Sequence, residues 1–385
     1  MSSERATIAL DFRWLDQLSP GNGQYRYCID LITGLANLRS DCKFLVIGSQ
    51  PAPPDPIRHV FDDSHWRYRQ LRGWKFRGAD YLYHLRYAWL MNRERVDLLH
   101  SLHTFVPLFS RARSVITVYD LMFELFHEYR AAVMSRPYRL FKHTVQTTSP
   151  VVIAISQTTA DDLHRLWGVS RSKIAVVYLA TRAASSHNGR QGGAMAKFSE
   201  EAFVLSPFNL EPRKNLLSLL RAMAEVRRSH PAVRLILYGR AGVTPDRVEK
   251  FHEDVRQLGL EDTVTLTGFV TDEELAFLYR HALVFVFPSL YEGFGLPVLE
   301  AMAAGACTVA RNQSAMAEVL GDAGVQIETE DAASLATTLR SLLDNPPRRA
   351  ALGRAAQLRS ARFTPEAMAR GTYSAYMKAL DLKTA

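Results

Sequence analysis

The stretch that decides the fold is Phe287-Pro-Ser-Leu-Tyr-Glu-Gly-Phe-Gly-Leu-Pro-Val-Leu-Glu-Ala-Met-Ala-Ala-Gly305. The run at 283–287 is short and apolar, which predicts a buried strand. A Pro-Ser turn and two glycines follow it, and Pro297 is suited to the first turn of a helix. The stretch therefore predicts a strand, a glycine-rich loop and a helix, the unit from which parallel α/β sheets are built.

Two glutamates in this stretch are candidates for ligand binding. Glu292 lies in the loop before the predicted helix, and Glu300 lies on the helix itself. Ionised carboxylates only accept hydrogen bonds, so they suit the neighbouring hydroxyl groups of a sugar or a ribose. The residues beside Glu300 are apolar, and a buried glutamate without a partner is costly. A solvated helix face is therefore the weaker explanation of Glu300.

A basic pair lies further back, in Ser206-Pro-Phe-Asn-Leu-Glu-Pro-Arg-Lys-Asn215. This segment again joins a predicted strand to a predicted helix, which is expected to begin near Asn215. A helix N-terminus carries about half a positive charge, so Arg213 and Lys214 beside it predict a site for a diphosphate. The alternative is an ordinary solvated basic pair.

Apolar runs alternate with helical patterns along the rest of the chain, and residues 183–197 predict a Gly-rich linker. The pattern predicts two doubly wound α/β domains, at 1–182 and 198–363, and a final helical segment at 364–385. The predicted strands are 7–10, 44–47, 98–100, 115–118, 151–155 and 174–178 before the linker, and 203–205, 233–238, 263–267, 283–287 and 308–310 after it.

A glycine-rich loop also follows the first predicted strand. It contains Gly21 and Gly23 just before a helical pattern. Glycines let the backbone approach a ligand closely, and the free amides at a helix start attract anions. Because Pro-Gly-Asn-Gly is equally an ordinary turn, the local sequence leaves both interpretations open.

The composition is that of a globular protein, with 47% hydrophobic and 22% charged residues, and it excludes a disordered chain. The net charge is +8, and the whole surplus lies in residues 1–182. A one-sided excess favours one domain that faces an anionic partner over a uniform nucleic-acid coat, so no nucleic-acid partner is expected.

The cysteines and the hydropathy pattern predict the compartment. Cys28, Cys42 and Cys307 have no paired spacing, which predicts free thiols in a reducing compartment. No apolar run reaches the roughly 20 residues that cross a bilayer, and the first residues do not resemble a secretory signal. A cytoplasmic protein is expected.

Taken together, the motifs resemble those of the retaining glycosyltransferases of family 4. The resemblance is carried by the spacing of Glu292 and Glu300, by Glu-Pro-Arg-Lys-Asn at 211–215, and by Thr-Gly-Phe-Val at 267–270. It implies the GT-B fold, in which two Rossmann-like domains face a cleft. It also implies transfer of a sugar from a nucleotide-sugar to a glycan or a polyprenyl-diphosphate-linked acceptor of a surface polysaccharide. The expected donor is GDP-mannose first and a UDP-sugar second.

The resemblance also implies a role for each motif residue. Glu300 would hold the ribose hydroxyls, Glu292 would hold a hydroxyl of the donor sugar, and Arg213 with Lys214 would stabilise the leaving diphosphate. No cofactor and no metal are expected, because cationic side chains replace the metal in this family. The resemblance also implies that backbone groups contact the donor at three places. The amides of Gly293, Phe294, Gly295 and Leu296 would face the sugar and the diphosphate. Gly268 and Val270 would lie near the base, and the loop with Gly21 and Gly23 would close over the diphosphate.

The chain departs from the family pattern at two places. Phe208 stands where members often have an arginine, and Arg240 is one candidate to compensate for it. Tyr119 and Asp120 stand where members often have His-Asp. The acceptor-side residues are therefore predicted as Tyr119, Asp120 and His100. A histidine at 100 or 103 either substitutes in that role or is an ordinary loop residue.

A basic and aromatic segment at 65–77 has no place in those motifs. It reads His65-Trp-Arg-Tyr-Arg-Gln-Leu-Arg-Gly-Trp-Lys-Phe-Arg77. Such a segment suits an anionic membrane surface, or stacking on sugars or single-stranded RNA, or it is a solvated helix packed by its aromatic residues. The hypothesis is that it docks a polyprenyl-linked glycan at the inner face of the cell membrane.

Two functions of other classes remain open at this stage. A GT-B-fold nucleotide-sugar epimerase would form product from the nucleotide-sugar without an acceptor. A catalytically silent module would bind the nucleotide-sugar and release nothing.

Overall fold

The computed structural model describes residues 6–13, 15–18, 22–71, 79–103, 110–129, 133–181, 193–240, 245–327 and 331–381. The chain divides into two compact units, which we call unit 1 and unit 2. Unit 1 comprises Met1–Ala180 and Phe363–Ala385, and unit 2 comprises Thr181–Arg362.

The described residues form strands and helices that alternate along the chain. The strands are β1 (Thr7–Asp11), β2 (Lys43–Gly48), β3 (Trp66–Gln70), β4 (Leu98–Ser101), β5 (Arg113–Val118), β6 (Val151–Ala154), β7 (Ile174–Val176), β8 (Phe203–Pro207), β9 (Arg234–Tyr238), β10 (Val264–Gly268), β11 (Val284–Phe287), β12 (Thr308–Arg311) and β13 (Val325–Ile327). The helices are α1 (Gly23–Asn37), α2 (Ala79–Arg93), α3 (Met122–Leu125), α4 (Arg136–Thr147), α5 (Gln157–Trp167), α6 (Leu216–Arg227), α7 (Pro245–Gln257), α8 (Asp272–His281), α9 (Leu296–Ala303), α10 (Ala315–Leu320), α11 (Ala332–Leu343), α12 (Pro346–Ser360) and α13 (Pro365–Asp381). Short 3-10 turns lie at Leu15–Gln17, Asp55–Asp62, His127–Tyr129, Arg171–Lys173, Gly193–Phe198 and Pro212–Lys214.

Unit 1 is built on a parallel sheet with the order β3-β2-β1-β4-β5-β6-β7. Its central strands are buried along their whole length, as expected where helices cover both faces of a parallel sheet. All six strands predicted for this half of the chain are present. The doubly wound fold predicted for unit 1 is therefore confirmed.

Strand β3 was not predicted, because its residues were interpreted as part of the basic and aromatic segment. Trp66 is buried and stacks on Phe44 of β2, with ring centroids 4.4 Å apart. Arg67 and Arg69 both form ion pairs with Glu94 at the end of α2, at 2.9 and 3.0 Å. The first part of the segment is thus an edge strand. Its second part, residues 72–78, lies outside the described residues.

The last helix, α13, packs against α1 within unit 1. The two backbones approach so closely at Gly34 that a Cβ there would lie 2.5 Å from the carbonyl oxygen of Pro365. Only glycine fits such an approach. The C-terminal segment therefore belongs to unit 1, the unit that contains β1.

Unit 2 contains a second parallel sheet with the order β10-β9-β8-β11-β12-β13. The five strands predicted for this half are all present, and the doubly wound fold is confirmed here too. Strand β13 was missed because it has only three residues and only one of them is buried. In each sheet the strand order reverses once, between β1 and β4 and between β8 and β11. Ligands of doubly wound folds bind outside the carboxyl ends of the strands at this reversal.

The predicted linker at 183–197 is only partly described. Residues 182–192 lie outside the described residues, whereas Gly193–Phe198 is a 3-10 turn of unit 2. Met195 and Phe198 are buried, and this turn contacts α8. The prediction that the linker extends to residue 197 is therefore wrong, since two apolar side chains anchor its last residues.

The expectations about the cysteines and about membrane-spanning segments can be compared with the described residues. Cys28, Cys42 and Cys307 are buried free thiols, as predicted. The described helices include none with the length and apolar character that a membrane span requires.

Candidate active site

The first part of the site follows β8, at the reversal point of unit 2. Pro212–Lys214 is a single 3-10 turn and α6 begins only at Leu216, so Arg213 and Lys214 stand before the helix. Asn215 joins the two elements with φ 55° and ψ 34°, a left-handed conformation that Asn adopts more readily than most residues. Its Nδ2 donates to the carbonyl of Pro288 at 3.4 Å, which ties this turn to the loop after β11.

The loop after β11 brings Glu292 onto both cations. Oε1 of Glu292 accepts hydrogen bonds from Lys214 Nζ at 2.6 Å, Arg213 Nη1 at 3.1 Å and Ser289 Oγ at 2.6 Å. Arg213 also donates from Nε to Oε2 of Glu211 at 2.8 Å. The structure therefore places Arg213, Lys214 and Glu292 in direct contact, although 77 residues of sequence separate Lys214 from Glu292.

The electrostatics of this cluster keep Glu292 ionised. Burial raises the pKa of its carboxyl group, but the charges of Lys214 and Arg213 outweigh that effect and hold the pKa below its usual value. Lys214 Nζ also lies 5.3 Å from the ring centroid of Phe287, which adds a cation–π contact. The cluster is thus a fixed arrangement of charges at the edge where ligands of this fold bind.

The glycines after Glu292 shape the start of α9. Gly295 precedes the helix with φ 91° and ψ 51°, a conformation that favours glycine. A Cβ at this position would lie 3.1 Å from Cγ of Met316 on α10, so there is little room for a side chain. Gly293 and Phe294 are buried beside it, and Leu296 is the first residue of the helix. The predicted backbone site at 293–296 is therefore a helix N-terminus, next to the charged cluster.

Glu300 lies on α9 and is half-buried. Its Oε2 accepts a hydrogen bond of 3.4 Å from the hydroxyl of Tyr279 on α8. The sequence identified Glu300 but gave no indication of the tyrosine behind it.

The predicted base-binding turn follows β10. Gly268 has φ 70°, and its carbonyl accepts from the Gly239 amide at 2.8 Å, while Val270 is buried. Phe269 between them is 68% exposed, and the guanidinium of Arg240 lies 6.0 Å from its ring centroid. The turn is thus formed by backbone with one exposed aromatic ring. That this turn lies along the base stays a prediction.

Phe208 belongs to the core. It is buried and packs against Phe251 of α7, with ring centroids 4.9 Å apart. An apolar side chain therefore occupies the place at which the family often has arginine. Arg240 is exposed and follows β9, the strand next to β8 in the sheet.

In unit 1, the prediction that His100 is an acceptor-side residue is wrong. His100 is completely buried, with Nδ1 2.6 Å from the hydroxyl of Tyr376 and Nε2 2.8 Å from Oγ1 of Thr117. Burial lowers the pKa of His100 to about 3, so the ring is neutral. Both ring nitrogens are engaged within the core, which leaves neither for a substrate.

The other acceptor-side residues follow β5. Tyr119 donates its hydroxyl to the carbonyl of Leu102 at 2.7 Å, and burial raises its pKa well above its usual value. It therefore acts as a neutral hydrogen-bond donor and does not replace a histidine as a base. Asp120 accepts from the amide of Met122 at 3.1 Å and so orders the start of α3.

The predicted glycine loop of unit 1 is described only at its end. Gly21 lies outside the described residues, and Gly23 is the first residue of α1. The preceding Asn22 accepts from the amides of Gln24 and Tyr25 and caps the helix. The proposed closure of this loop over a diphosphate stays a prediction.

A charged cluster that the sequence did not reveal lies at the reversal point of unit 1. Asp11 ends β1, is completely buried, and accepts from Arg13 Nε at 2.6 Å and Nη2 at 2.5 Å. His103, which follows β4, places Nε2 3.3 Å from Asp11. Burial raises the pKa of Asp11, but the charges of Arg13 and His103 hold it well below its usual range. Among the described residues, His103 thus lies beside Asp11 at the carboxyl ends of β1 and β4.

Ser314 is a second residue that sequence reasoning missed. Its Oγ accepts the backbone amide of Glu292 at 3.2 Å, so it supports the loop that carries the carboxylate. It does so with φ 63° and ψ −170°, a conformation adopted almost only by glycine. Such strain often marks a functional site, and local sequence carries no signal for it.

We expect the Ser314→Gly variant to be more stable than the Ser314→Ala variant, although alanine usually gives the more stable protein of the two. Both variants lose the hydrogen bond to Glu292, but only glycine relaxes the positive φ. The expected difference in free energy of unfolding is about 1 kcal/mol or more, measured by urea denaturation. If the alanine variant is as stable as the glycine variant, the backbone at this position is not strained.

The described residues include no group of three or more His, Cys, Asp or Glu side chains placed to hold a metal ion. Metal independence stays a prediction.

Comparison with known proteins matches both halves of the chain to one family. A family model described as Glycosyltransferase Family 4 matches residues 21–182, and one described as Glycosyl transferases group 1 matches residues 193–359. The O-antigen chain mannosyltransferase B of Escherichia coli is 30% identical over 280 residues, which cover 70% of this chain and 71% of that protein. The chain belongs to the family 4 glycosyltransferases.

Solved structures show the fold of this glycosyltransferase. The sucrose-phosphate synthase of Thermosynechococcus elongatus has a TM-score of 0.76 at 23% identity, covering 98% of this chain and 100% of that one. Anabaena HepE in complex with UDP-glucose has a TM-score of 0.71 at 19% identity, covering 96% and 99%. At these identities the likeness extends to the fold alone, and it confirms the predicted GT-B class with its two parallel-sheet α/β domains.

Proposed function

We propose that this glycosyltransferase transfers mannose from GDP-mannose, with retention of configuration, to a glycan or polyprenyl-diphosphate-linked acceptor in surface polysaccharide synthesis. A UDP-sugar is the second choice of donor. The donor proposal is supported by the 30% identity to a mannosyltransferase of O-antigen chains. The site proposal is supported by the contact of Arg213 and Lys214 with Glu292 at the strand reversal of unit 2.

In this proposal Arg213 and Lys214 stabilise the diphosphate as it leaves. Negative charge on the phosphate grows as the glycosidic bond breaks, so fixed cations lower the barrier more than they strengthen donor binding. The start of α9 adds backbone amides on the same side. Because these groups carry the positive charge, the reaction is proposed to need no metal and no cofactor.

The two glutamates bind hydroxyl groups in this proposal. The three donors that hold Glu292 share Oε1, and Oε2 is proposed to accept a hydroxyl of the donor sugar. Glu300 takes the ribose hydroxyls, and the turn at Gly268–Val270 lies along the base. The acceptor attacks from the face that the diphosphate leaves, and a phosphate oxygen takes its proton, so no separate nucleophile on the protein is required.

The proposed acceptor side is unit 1, which carries the positive charge surplus. His103, which lies 3.3 Å from Asp11, is proposed in place of His100 as the acceptor-side histidine. Tyr119 and Asp120 shape the neighbouring strand end. We further propose that the protein acts at the inner face of the cell membrane, with the segment at 65–77 on its anionic surface.

Vesicle binding tests the membrane proposal. Replacement of Arg72 and Lys75 by Ser is expected to weaken binding to anionic vesicles by about fivefold per residue, because each cation near such a surface contributes about 1 kcal/mol. Replacement of Arg67 and Arg69, which pair with Glu94, is the matched control and is expected to do less. Unchanged binding after all four replacements contradicts a membrane role.

The decisive experiment incubates the protein with GDP-, UDP- and dTDP-sugars, with and without a lipid-linked glycan acceptor and with and without EDTA. Release of nucleoside diphosphate from GDP-mannose, dependent on the acceptor and unaffected by EDTA, is expected, and NMR of the product gives the anomeric configuration. A new sugar nucleotide formed without acceptor indicates an epimerase. Binding without any release indicates a catalytically silent module.

A further inference from the structure

Two buried tyrosines stand in line behind Glu300. Tyr279 lies on α8 and Tyr238 is the last residue of β9. The hydroxyl of Tyr279 is 3.4 Å from Oε2 of Glu300, and the hydroxyl of Tyr238 is 2.7 Å from that of Tyr279. Three elements of unit 2 thus meet in one chain of hydrogen bonds that ends on a carboxylate.

The direction of this chain follows from the number of protons. Tyr279 is 2% exposed, and burial raises its pKa well above the usual value, so its hydroxyl keeps its proton. A carboxylate only accepts, so Tyr279 donates to Glu300. A phenol has one proton, and therefore Tyr238 must be the donor in its hydrogen bond to Tyr279.

The position of the Tyr279 ring is fixed by packing. Its centroid lies 5.2 Å from that of Phe285 on β11 and 5.9 Å from that of Tyr238, both in edge-to-face geometry. Aromatic rings held from two sides in a close-packed core have little freedom to turn. The hydroxyl that reaches Glu300 is therefore held at a fixed point.

We propose that Tyr279, supported by Tyr238, is a positioning residue that holds Glu300 in the orientation that binds a vicinal diol. This inference rests on the proposed function, which assigns the ribose hydroxyls to Glu300. A free glutamate side chain has several rotatable bonds, and ordering them on binding weakens affinity. A glutamate oriented in advance avoids that loss, so Tyr279 contributes to affinity without touching the nucleotide.

A purely structural role predicts something different. If the tyrosine pair only satisfies its own polar groups in the core, removal of one hydroxyl lowers stability and affects every nucleotide alike. If it acts through Glu300, the effect depends on the hydroxyl groups of the ligand. The test therefore compares ligands that differ only in the ribose.

The experiment measures the Kd of GDP and UDP, and of their 2′,3′-dideoxy counterparts, by calorimetry. Tyr279→Phe is expected to weaken binding of the tighter ribonucleotide by roughly five- to tenfold and to leave the dideoxy ligand unchanged. In turnover, KM for the donor should rise while kcat is maintained. Tyr238→Phe should act in the same direction with a smaller effect, since it supports Tyr279 and not Glu300.

Two controls separate the outcomes. Tyr376→Phe removes a buried, hydrogen-bonded hydroxyl from unit 1, and it should leave nucleotide affinity unchanged. Glu300→Ala should abolish discrimination between the ribose and dideoxy ligands. If Glu300→Ala discriminates as the parent protein does, the proposed function of Glu300 fails, and the inference with it. A different outcome is that Glu300→Ala behaves as expected while Tyr279→Phe binds both ligands with the affinity of the parent protein, or loses the same factor of affinity for both. In that case the positioning role alone is overturned.

Discussion

Lys214→Ala is expected to lower kcat by about 10²–10³-fold while KM for the donor changes little. Lys214 Nζ is held 2.6 Å from Glu292 and lies over the ring of Phe287. The proposed role of its charge is to stabilise the leaving diphosphate, whose own charge grows mainly in the transition state. Steady-state kinetics measure both constants, with the sugar nucleotide from which the protein releases nucleoside diphosphate as the donor.

Two variants serve as controls for this prediction. Lys214→Arg keeps the positive charge and should retain more activity than the alanine variant. Lys250→Ala removes an exposed lysine that pairs with Asp254 on α7, and should leave both constants unchanged. A loss that lies wholly in KM indicates ground-state binding of the donor and contradicts the leaving-group role.

Glu292→Gln is expected to lower kcat/KM by about 10²-fold or more while binding of the nucleoside diphosphate is kept or strengthened. The carboxylate accepts from Arg213, Lys214 and Ser289, so its neutralisation leaves two cations without their shared counter-charge. The unliganded protein should lose about 1–3 kcal/mol of stability. A bound diphosphate replaces the missing negative charge, so GDP should raise Tm more in the variant than in the parent.

The pH dependence of stability checks the same prediction. The pKa of Glu292 in the folded protein lies below its usual value, because the charges of Lys214 and Arg213 outweigh the opposing effect of burial. Its ionised form therefore stabilises the fold fully above the unfolded pKa, and this contribution is lost as the pH falls through the folded pKa. The stability difference between parent and Glu292→Gln should be constant at neutral pH and shrink in acid. If GDP raises Tm by the same amount in the parent protein and in Glu292→Gln, then Glu292 is not the shared counter-charge of Arg213 and Lys214.

Much of the fold could be predicted because its signals are local. Buried strands such as β1 and β11 are short apolar runs, and glycine and proline mark the turns that follow them. The positions of Arg213, Lys214 and Glu292 were predicted as well, because ligand residues of a doubly wound sheet follow its strands. Strand β3 was missed although Trp66 and Tyr68 alternate with arginines, a pattern that also fits an edge strand.

The errors share one physical cause. His100 looks like a ligand residue because it lies near the end of a strand, yet Tyr376, 276 residues further along the chain, covers it. Ser314 has an unremarkable local sequence, yet it has a positive φ and accepts a hydrogen bond from the backbone of the Glu292 loop. Neither burial by a helix far along the chain nor a contact with another loop leaves a trace in the residues next to His100 or Ser314.

The sequence by itself determined the two parallel α/β sheets and the positions of the residues proposed to carry the chemistry, because periodicity and turn chemistry act over a few positions. Only the tertiary structure decided which of those residues meet. Strand order places the loop after β8 beside the loop after β11, and so brings Lys214 to Glu292. Tyr279 and Glu300 meet because the helices before and after β11 lie side by side. Hydrogen bonds and burial depend on distances in space, and these are set only when the whole sheet has formed.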